Sequence, residues 1–168
     1  ALRLIELGLK PIVLERGKEV SERKKDIAQL NRNNGLNLES NYCFGEGGAG
    51  TFSDGKLMTR VNDSAISYVL RRFYEFGAPE EILQSQKPHI GTDKLQGTVR
   101  GLREEIIRLG GEVRFGNRFL YPEWKKGSLC GCLVESPKGE QYIPFWYEVY
   151  LQARPCFQSA ISLEKKKE

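Results

Sequence analysis

The amino-acid sequence predicts an α/β fold, with a parallel sheet, flanking helices and a β-hairpin insertion. Two stretches, residues 1–14 and 92–115, each lead from a helical pattern through a glycine into a short strand-like run. Further along, a Pro-Lys-Gly turn joins two more strand-like runs. We expect residues 1–144 to form one incomplete domain and residues 145–168 to form a divergent C-terminal tail.

The first half of the chain begins with a helical pattern at residues 1–7, which Gly8 is expected to end in a left-handed conformation. Residues 12–14 form a continuous apolar run, which is typical of a parallel strand buried on both faces. The run ends at Glu15. Residues 18–32 are highly charged and predict a surface helix, and the Asn-rich residues 31–40 predict a loop.

The second half begins with a predicted helix at residues 64–76, with Gly77 as its stop. Residues 92–109 form the clearest helix, because their apolar residues repeat at alternating steps of four and three. A strand is predicted at residues 112–115, and a hairpin is predicted from residues 129–134 and 140–143. The pattern fades after Pro144.

Composition narrows the class of protein. The 168 residues carry a net charge of +4, and the basic residues are scattered without a nucleic-acid reader motif. No apolar run approaches the roughly 20 residues that cross a bilayer, and no signal peptide is recognisable. The cysteines lack zinc-site spacing and there is a single histidine. We therefore expect a cytoplasmic protein (plastid, if the source is a photosynthetic eukaryote) that binds a small molecule, with no metal, no membrane and no nucleic-acid partner.

Glu15 is the first candidate binding residue. Dinucleotide-binding folds place an acidic residue at the end of their second strand, where it binds the ribose hydroxyls. The order of helix, turn, strand and acid thus predicts part of a Rossmann-like sheet, although an ordinary strand-end glutamate is the alternative. The preceding strand and GxGxxG turn of such folds are absent, and the chain opens at Ala1 inside a helix. We therefore expect a truncated chain that holds a dinucleotide poorly.

The glycine-rich segment at residues 44–56 is the second candidate. Because glycine has no side chain, a glycine-rich stretch lets a ligand approach the main chain closely. Its successive backbone amides can then bind an anion or the edge of a flavin ring. Leu57 follows Lys56, which excludes a Walker motif. A flexible loop without a ligand is the alternative. The candidate binding residues here are Gly45, Glu46, Gly47, Gly48, Ala49, Gly50, Ser53, Asp54 and Gly55.

Four stretches carry a family resemblance: ALRLIELGLKPIVLERG (1–17), ESNYCFGEGGAGTFSDGKLMTR (39–60), FGAPEEIL (76–83) and KPHIGTDKL (87–95). The sequence resembles the family of FAD-dependent dehydrogenases found in bacteria and plastid-bearing organisms. The resemblance covers residues 1–115. It implies a two-domain FAD fold of the glutathione-reductase type and hydride transfer through a bound flavin. NAD(P)H is a candidate electron partner, and the substrate is unknown.

The resemblance also implies roles for individual residues. Glu15 and Arg16 would lie at the adenosine ribose, residues 45–50 near the pyrophosphate and flavin, and residues 53–56 beside the flavin ring or substrate. Lys56 would stabilise the anionic reduced ring, and His89 would donate a proton. For His89 the alternative is a structural hydrogen bond ahead of the helix that starts at Thr92.

Two other functional classes remain open. The first is a non-catalytic remnant that cannot hold FAD, which the absence of the glycine turn favours. The second is a flavin-dependent RNA-modifying protein, which the net positive charge permits. The C-terminal part departs from the family, because residues 148–155 have the expected apolar strand but not the glycine turn that should follow it.

Overall fold

The structure is a computed structural model that describes residues 1–33, 35–53, 55–57, 59, 61–145, 153–154, 157–158 and 160–165, the last three ranges by their backbone only. The chain divides into two compact units. Unit 1 consists of Ala1–Glu46 and Ile106–Glu168, and unit 2 consists of Gly47–Glu105. Much of the predicted strand at residues 148–155 lies outside the described residues.

The secondary structure is a mixture of helices and strands. The helices are α1 (Leu2–Glu6), α2 (Val20–Asn31), α3 (Ala65–Glu75) and α4 (Thr92–Arg108), with short 3-10 helices at Ala49–Phe52 and Glu80–Leu83. The strands are β1 (Leu9–Glu15), β2 (Glu112–Phe115), β3 (Arg118–Lys125), β4 (Ser128–Ser136), β5 (Gly139–Pro144), β6 (Ala153–Arg154), β7 (Phe157–Gln158) and β8 (Ala160–Lys165). The predicted α/β class is confirmed. None of the helices in the described residues is long and apolar enough to cross a membrane.

The first sheet of unit 1 has the order β2-β1-β8. Strands β1 and β2 are parallel, with Ile12 opposite Glu112 and Glu15 opposite Phe115. The parallel pairing inferred from the apolar run is therefore confirmed. On its other side β1 pairs with β8 in antiparallel orientation, a strand that the sequence analysis did not predict. This pairing satisfies backbone groups that an edge strand would leave unpaired.

The second sheet of unit 1 is antiparallel, with the order β3-β4-β5. The predicted hairpin is confirmed, since β4 and β5 pair across the turn with Ser136 opposite Gly139. Strand β3 was missed because it contains Pro122 and lacks regular alternation. Its register against β4 is also irregular, with a shift between Glu123 and Trp124.

The core of unit 1 joins its two sheets. Ile12 and Leu14 of β1 cluster with Cys132 and Val134 of β4 and with Ile143 of β5. The alternate burial along β4 follows from the two-residue period of a strand, which turns every second side chain towards the core. The core therefore fixes the carboxyl end of β1 relative to the hairpin.

Unit 2 is built on helices. Its core consists of Ala78, Ile82, Ile90 and Leu95. Helix α4 begins at Thr92, as predicted from its apolar repeat, and α3 ends before Gly77, whose φ of 101° is the left-handed conformation expected of a stop. The packing of Ile90 and Leu95 in one core holds the start of α4 against the segment that precedes it.

Candidate functional site

Glu15 lies at the carboxyl end of β1, directly opposite the end of β2. Its Oε1 accepts hydrogen bonds from the amides of Gly17, at 2.8 Å, and Gly45, at 3.0 Å. The start of the glycine-rich segment therefore lies against the strand end. These two hydrogen bonds orient the Glu15 carboxylate at the strand end.

Two glycines allow this close approach. A Cβ on Gly17 would lie 2.5 Å from the Cα of Gly45 and 2.8 Å from the carbonyl oxygen of Glu39. Gly45 itself has a φ of 116°, a conformation that other residues rarely adopt. Glycine is required at both positions by the backbone contact itself, before any ligand is considered.

Arg16 is held by an ion pair. Its Nε and Nη2 each donate to the carboxylate of Glu39 at 2.7 Å, and its guanidinium lies 4.0 Å from the centre of the Phe44 ring. The hydrogen bonding from Arg16 lowers the pKa of Glu39 below its usual range. Both charged groups are therefore oriented in advance of any ligand.

A cavity of about 370 Å³ opens beside these residues in unit 1. It lies at the carboxyl ends of the parallel strands β1 and β2, the edge of an α/β sheet at which ligands usually bind. Its volume is within the range of small-molecule sites. Glu15 is not among the residues that line it, which are Arg16, Gly17, Lys18, Asn37, Glu39, Ser40, Gly116, Arg118, Glu135, Ser136 and Pro137.

Ser40 is the buried polar group of this cavity. Its residue is 1% exposed, and its hydroxyl has no hydrogen-bond partner among the described residues. A buried hydroxyl without a partner costs about 1–3 kcal/mol, so it is normally satisfied by something that enters the site. The sequence analysis missed Ser40, because a serine at the end of a polar loop carries no distinguishing pattern.

The second half of the glycine-rich segment belongs to unit 2. Gly47 and Gly48 have φ values of 80° and 69°, and the 3-10 helix Ala49–Phe52 follows them directly. A Cβ on Gly47 would lie 2.0 Å from the hydroxyl oxygen of Thr51, which is fully buried. Close packing against Thr51 therefore requires glycine at position 47.

The two predicted catalytic residues, Lys56 and His89, lie opposite each other in an antiparallel bridge of unit 2. The amide of Leu57 donates to the carbonyl of Pro88 at 2.9 Å, and the amide of Ile90 donates to that of Gly55 at 3.0 Å. These two bonds flank Lys56 and His89, which therefore form a non-hydrogen-bonded pair. In such a pair the two Cα atoms are close together and both side chains lie on the same face. Both residues are exposed.

Neighbouring residues fix this bridge. A Cβ on Gly55 would lie 2.7 Å from the amide nitrogen of Gly91, so the two strands approach as closely as glycine permits. The hydroxyl of Thr92, the first residue of α4, donates to the carbonyl of Ser53. The structure thereby brings together the predicted residues Ser53, Gly55, Lys56 and His89, whereas Asp54 lies outside the described residues.

Metal-binding side chains are not clustered in the described part of the chain, where no group of three or more His, Cys, Asp or Glu residues could hold an ion. The thiols described there are free cysteines: Cys43 is exposed, Cys130 is half-buried and Cys132 is buried. Cys43 lies between α2 and the 3-10 helix Ala49–Phe52 rather than in a strand.

Known proteins show what this chain is similar to, but not which activity it has. No family model matches the chain. An uncharacterized protein of Clostridium beijerinckii (strain ATCC 51743 / NCIMB 8052) is 50% identical to it over 134 residues, which is 80% of this chain and 25% of that protein. The chain therefore spans about a quarter of the length of this relative, whose name states no activity.

Proposed function

We propose that this chain is part of an FAD-dependent oxidoreductase that transfers hydride through a bound flavin, and that unit 1 contributes a partial Rossmann-like FAD-binding sheet. The observation that carries the proposal is the cavity at the carboxyl ends of β1 and β2, beside which Glu15 accepts the Gly45 amide. A carboxylate at a strand end and a side-chain-poor loop at the same edge are the two features that dinucleotide sites combine.

The residues of unit 1 fit the adenosine half of the cofactor. Ser40 lines the cavity and its hydroxyl has no partner among the described residues, so the proposal assigns it a hydrogen bond to a ribose or adenine group. The basic residues Arg16, Lys18 and Arg118 outnumber the acidic residues Glu39 and Glu135 in the cavity lining, and this small excess of positive charge favours the adjoining pyrophosphate. The Glu15 carboxylate, at the end of β1 beside the cavity, is assigned to the ribose hydroxyls.

In unit 2, the proposal assigns the redox-related roles to Lys56 and His89. When bound, the flavin supplies the hydride acceptor, so the protein needs only to bind, orient and move protons. The Lys56 ammonium would stabilise negative charge on a reduced ring. The His89 imidazole, on the same face of the bridge, would give or take a proton at its ring nitrogen. NAD(P)H is the proposed electron partner.

The decisive experiment uses the full-length Clostridium beijerinckii relative. Purified from cells grown with riboflavin, it should show the absorbance bands of an oxidised flavin, which NAD(P)H or dithionite should bleach. Heat-released cofactor should be identified as FAD by chromatography. A colourless protein that neither releases nor takes up FAD would end the proposal.

A second experiment uses the chain itself with ADP as the probe of the adenosine end. Loss of one neutral hydrogen bond, worth about 0.5–1.5 kcal/mol, should weaken ADP binding about threefold to tenfold in Ser40→Ala. The matched control is Ser128→Ala, because Ser128 is exposed at the start of β4 and should leave the affinity unchanged. Equal affinities for wild type and Ser40→Ala would remove Ser40 from the site.

A further inference from the structure

Arg23 is a fully buried arginine on α2, the helix that the sequence predicts to lie at the protein surface. Its residue is 0% exposed, although α2 is otherwise rich in exposed charges. Burying a guanidinium is costly unless hydrogen bonds and opposite charges replace its water. The burial lowers the pKa of Arg23, and the nearby carboxylates of Glu15 and Glu46 oppose this effect.

Arg23 donates hydrogen bonds to one short segment of the chain. Its Nη1 donates to the carbonyl of Glu46 and, at 3.3 Å, to that of Gly45. Its Nη2 donates to the carbonyl of Asn41 at 2.9 Å and lies 3.4 Å from that of Tyr42. One planar guanidinium therefore gathers four carbonyl oxygens of residues 41–46, which an ammonium group, a compact point charge with three donors, would not reproduce.

The segment is also shaped around the arginine. A Cβ on Gly45 would lie 2.0 Å from the Arg23 Cδ, so the side chain passes where any other residue would have its own. The Glu46 carboxylate accepts the amide of Val20 at 2.7 Å, and the Glu46 amide donates to the carbonyl of Lys18 at 3.0 Å. These contacts tie the same segment to the start of α2.

We infer that Arg23 is a positioning residue, which holds residues 41–46 so that the Gly45 amide meets Glu15. The consequence for cofactor binding rests on the proposed function, whereas the positioning of Gly45 does not. Arg23 itself is not among the residues that line the cavity. It acts through the backbone that it orders.

The test compares Arg23→Lys and Arg23→Ala with Lys24→Ala, a control on the exposed neighbouring position of the same helix. Hydrogen exchange of the Gly45 amide, followed by NMR, reports the Glu15 contact directly. We expect exchange at least tenfold faster in both Arg23 variants, a change of about 1.4 kcal/mol in local opening. In Arg23→Ala, millimolar ethylguanidinium should restore slow exchange and ethylammonium should not.

ADP binding separates this inference from the proposed function. If wild type binds ADP, Arg23→Lys should bind it at least tenfold more weakly and Lys24→Ala should not differ. If wild type does not bind ADP while Gly45 exchange still depends on the guanidinium, the assignment of the cavity to adenosine fails and the positioning role stands. Gly45 exchange at the wild-type rate in both variants would overturn the inference. So would a global loss of helical signal in every Arg23 variant that ethylguanidinium does not reverse.

Discussion

The close fit between Gly45 and Arg23 leads to a quantitative prediction about Gly45→Ala. The substitution combines two costs: a φ of 116° that alanine adopts with strain, and a Cβ 2.0 Å from the Arg23 Cδ. Gly35→Ala provides the matched control in the same unit. Gly35 has a φ of 106° with nothing within 4 Å of its would-be Cβ, so it carries the first cost alone.

The magnitudes follow from these two contacts. Backbone strain of this type costs about 1–3 kcal/mol at either position. At Gly45 the Arg23 side chain must also move, which breaks hydrogen bonds from a charged donor worth about 1.5–3 kcal/mol each. We therefore expect Gly45→Ala to lower the free energy of unfolding by at least about 2 kcal/mol more than Gly35→Ala.

Urea denaturation followed by tryptophan fluorescence measures this difference, because Trp124 lies on β3 in unit 1, the unit that contains Gly45. The midpoint should shift while the slope of the transition stays constant. If the two alanine variants were equally stable, the Arg23 contact would contribute nothing beyond backbone strain, and the packing described around Gly45 would be refuted.

Two further predictions concern ionisable groups. Because the folded-state pKa of Glu39 lies below its ordinary 4.5, its ion pair with Arg16 stabilises the protein above pH 4.5, and this contribution is lost as pH falls through the folded pKa. Glu39→Gln should thus cost about 0.5 kcal/mol at pH 7, with the difference shrinking in acid; a pH-independent cost in urea titrations would contradict this. Burial raises the pKa of Cys132 to about 11, so iodoacetamide at pH 8 should alkylate the exposed Cys43 and spare Cys132 until urea unfolds the protein. Equal labelling by mass spectrometry would be incompatible with a buried Cys132.

The elements that the sequence predicted correctly are those determined by residues within or next to the element itself. Helix α4 follows from an apolar repeat along one face, and the β4–β5 hairpin follows from the turn preference of Pro137 and Gly139. Gly8 and Gly77 end their helices with positive φ, as the absence of a Cβ suggests. Each of these signals lies within a few residues of the structure that it predicts.

The elements that sequence did not predict depend on distant partners. Strand β8 exists as a partner of β1, more than a hundred residues earlier in the chain. The burial of Arg23 depends on carbonyls that follow it by 18 to 23 residues. The bridge between Lys56 and His89 was predicted only in part. Their residue types suggested a chemical role, but nothing in their spacing along the chain indicated that they are paired.

The glycine-rich segment shows how to separate a structural glycine from one that serves a ligand. Gly45, Gly47 and Gly55 all have positive φ and would clash with neighbouring atoms, so folding alone requires them. Gly50 does not have a left-handed φ, and nothing lies within 4 Å of its would-be Cβ. Gly50→Ala should therefore leave stability within about 0.5 kcal/mol of wild type. If a flavin or pyrophosphate approaches this backbone, the same variant should lose FAD affinity in a fluorescence titration. An unchanged FAD affinity would show that this segment is glycine-rich for its own folding and not for a ligand.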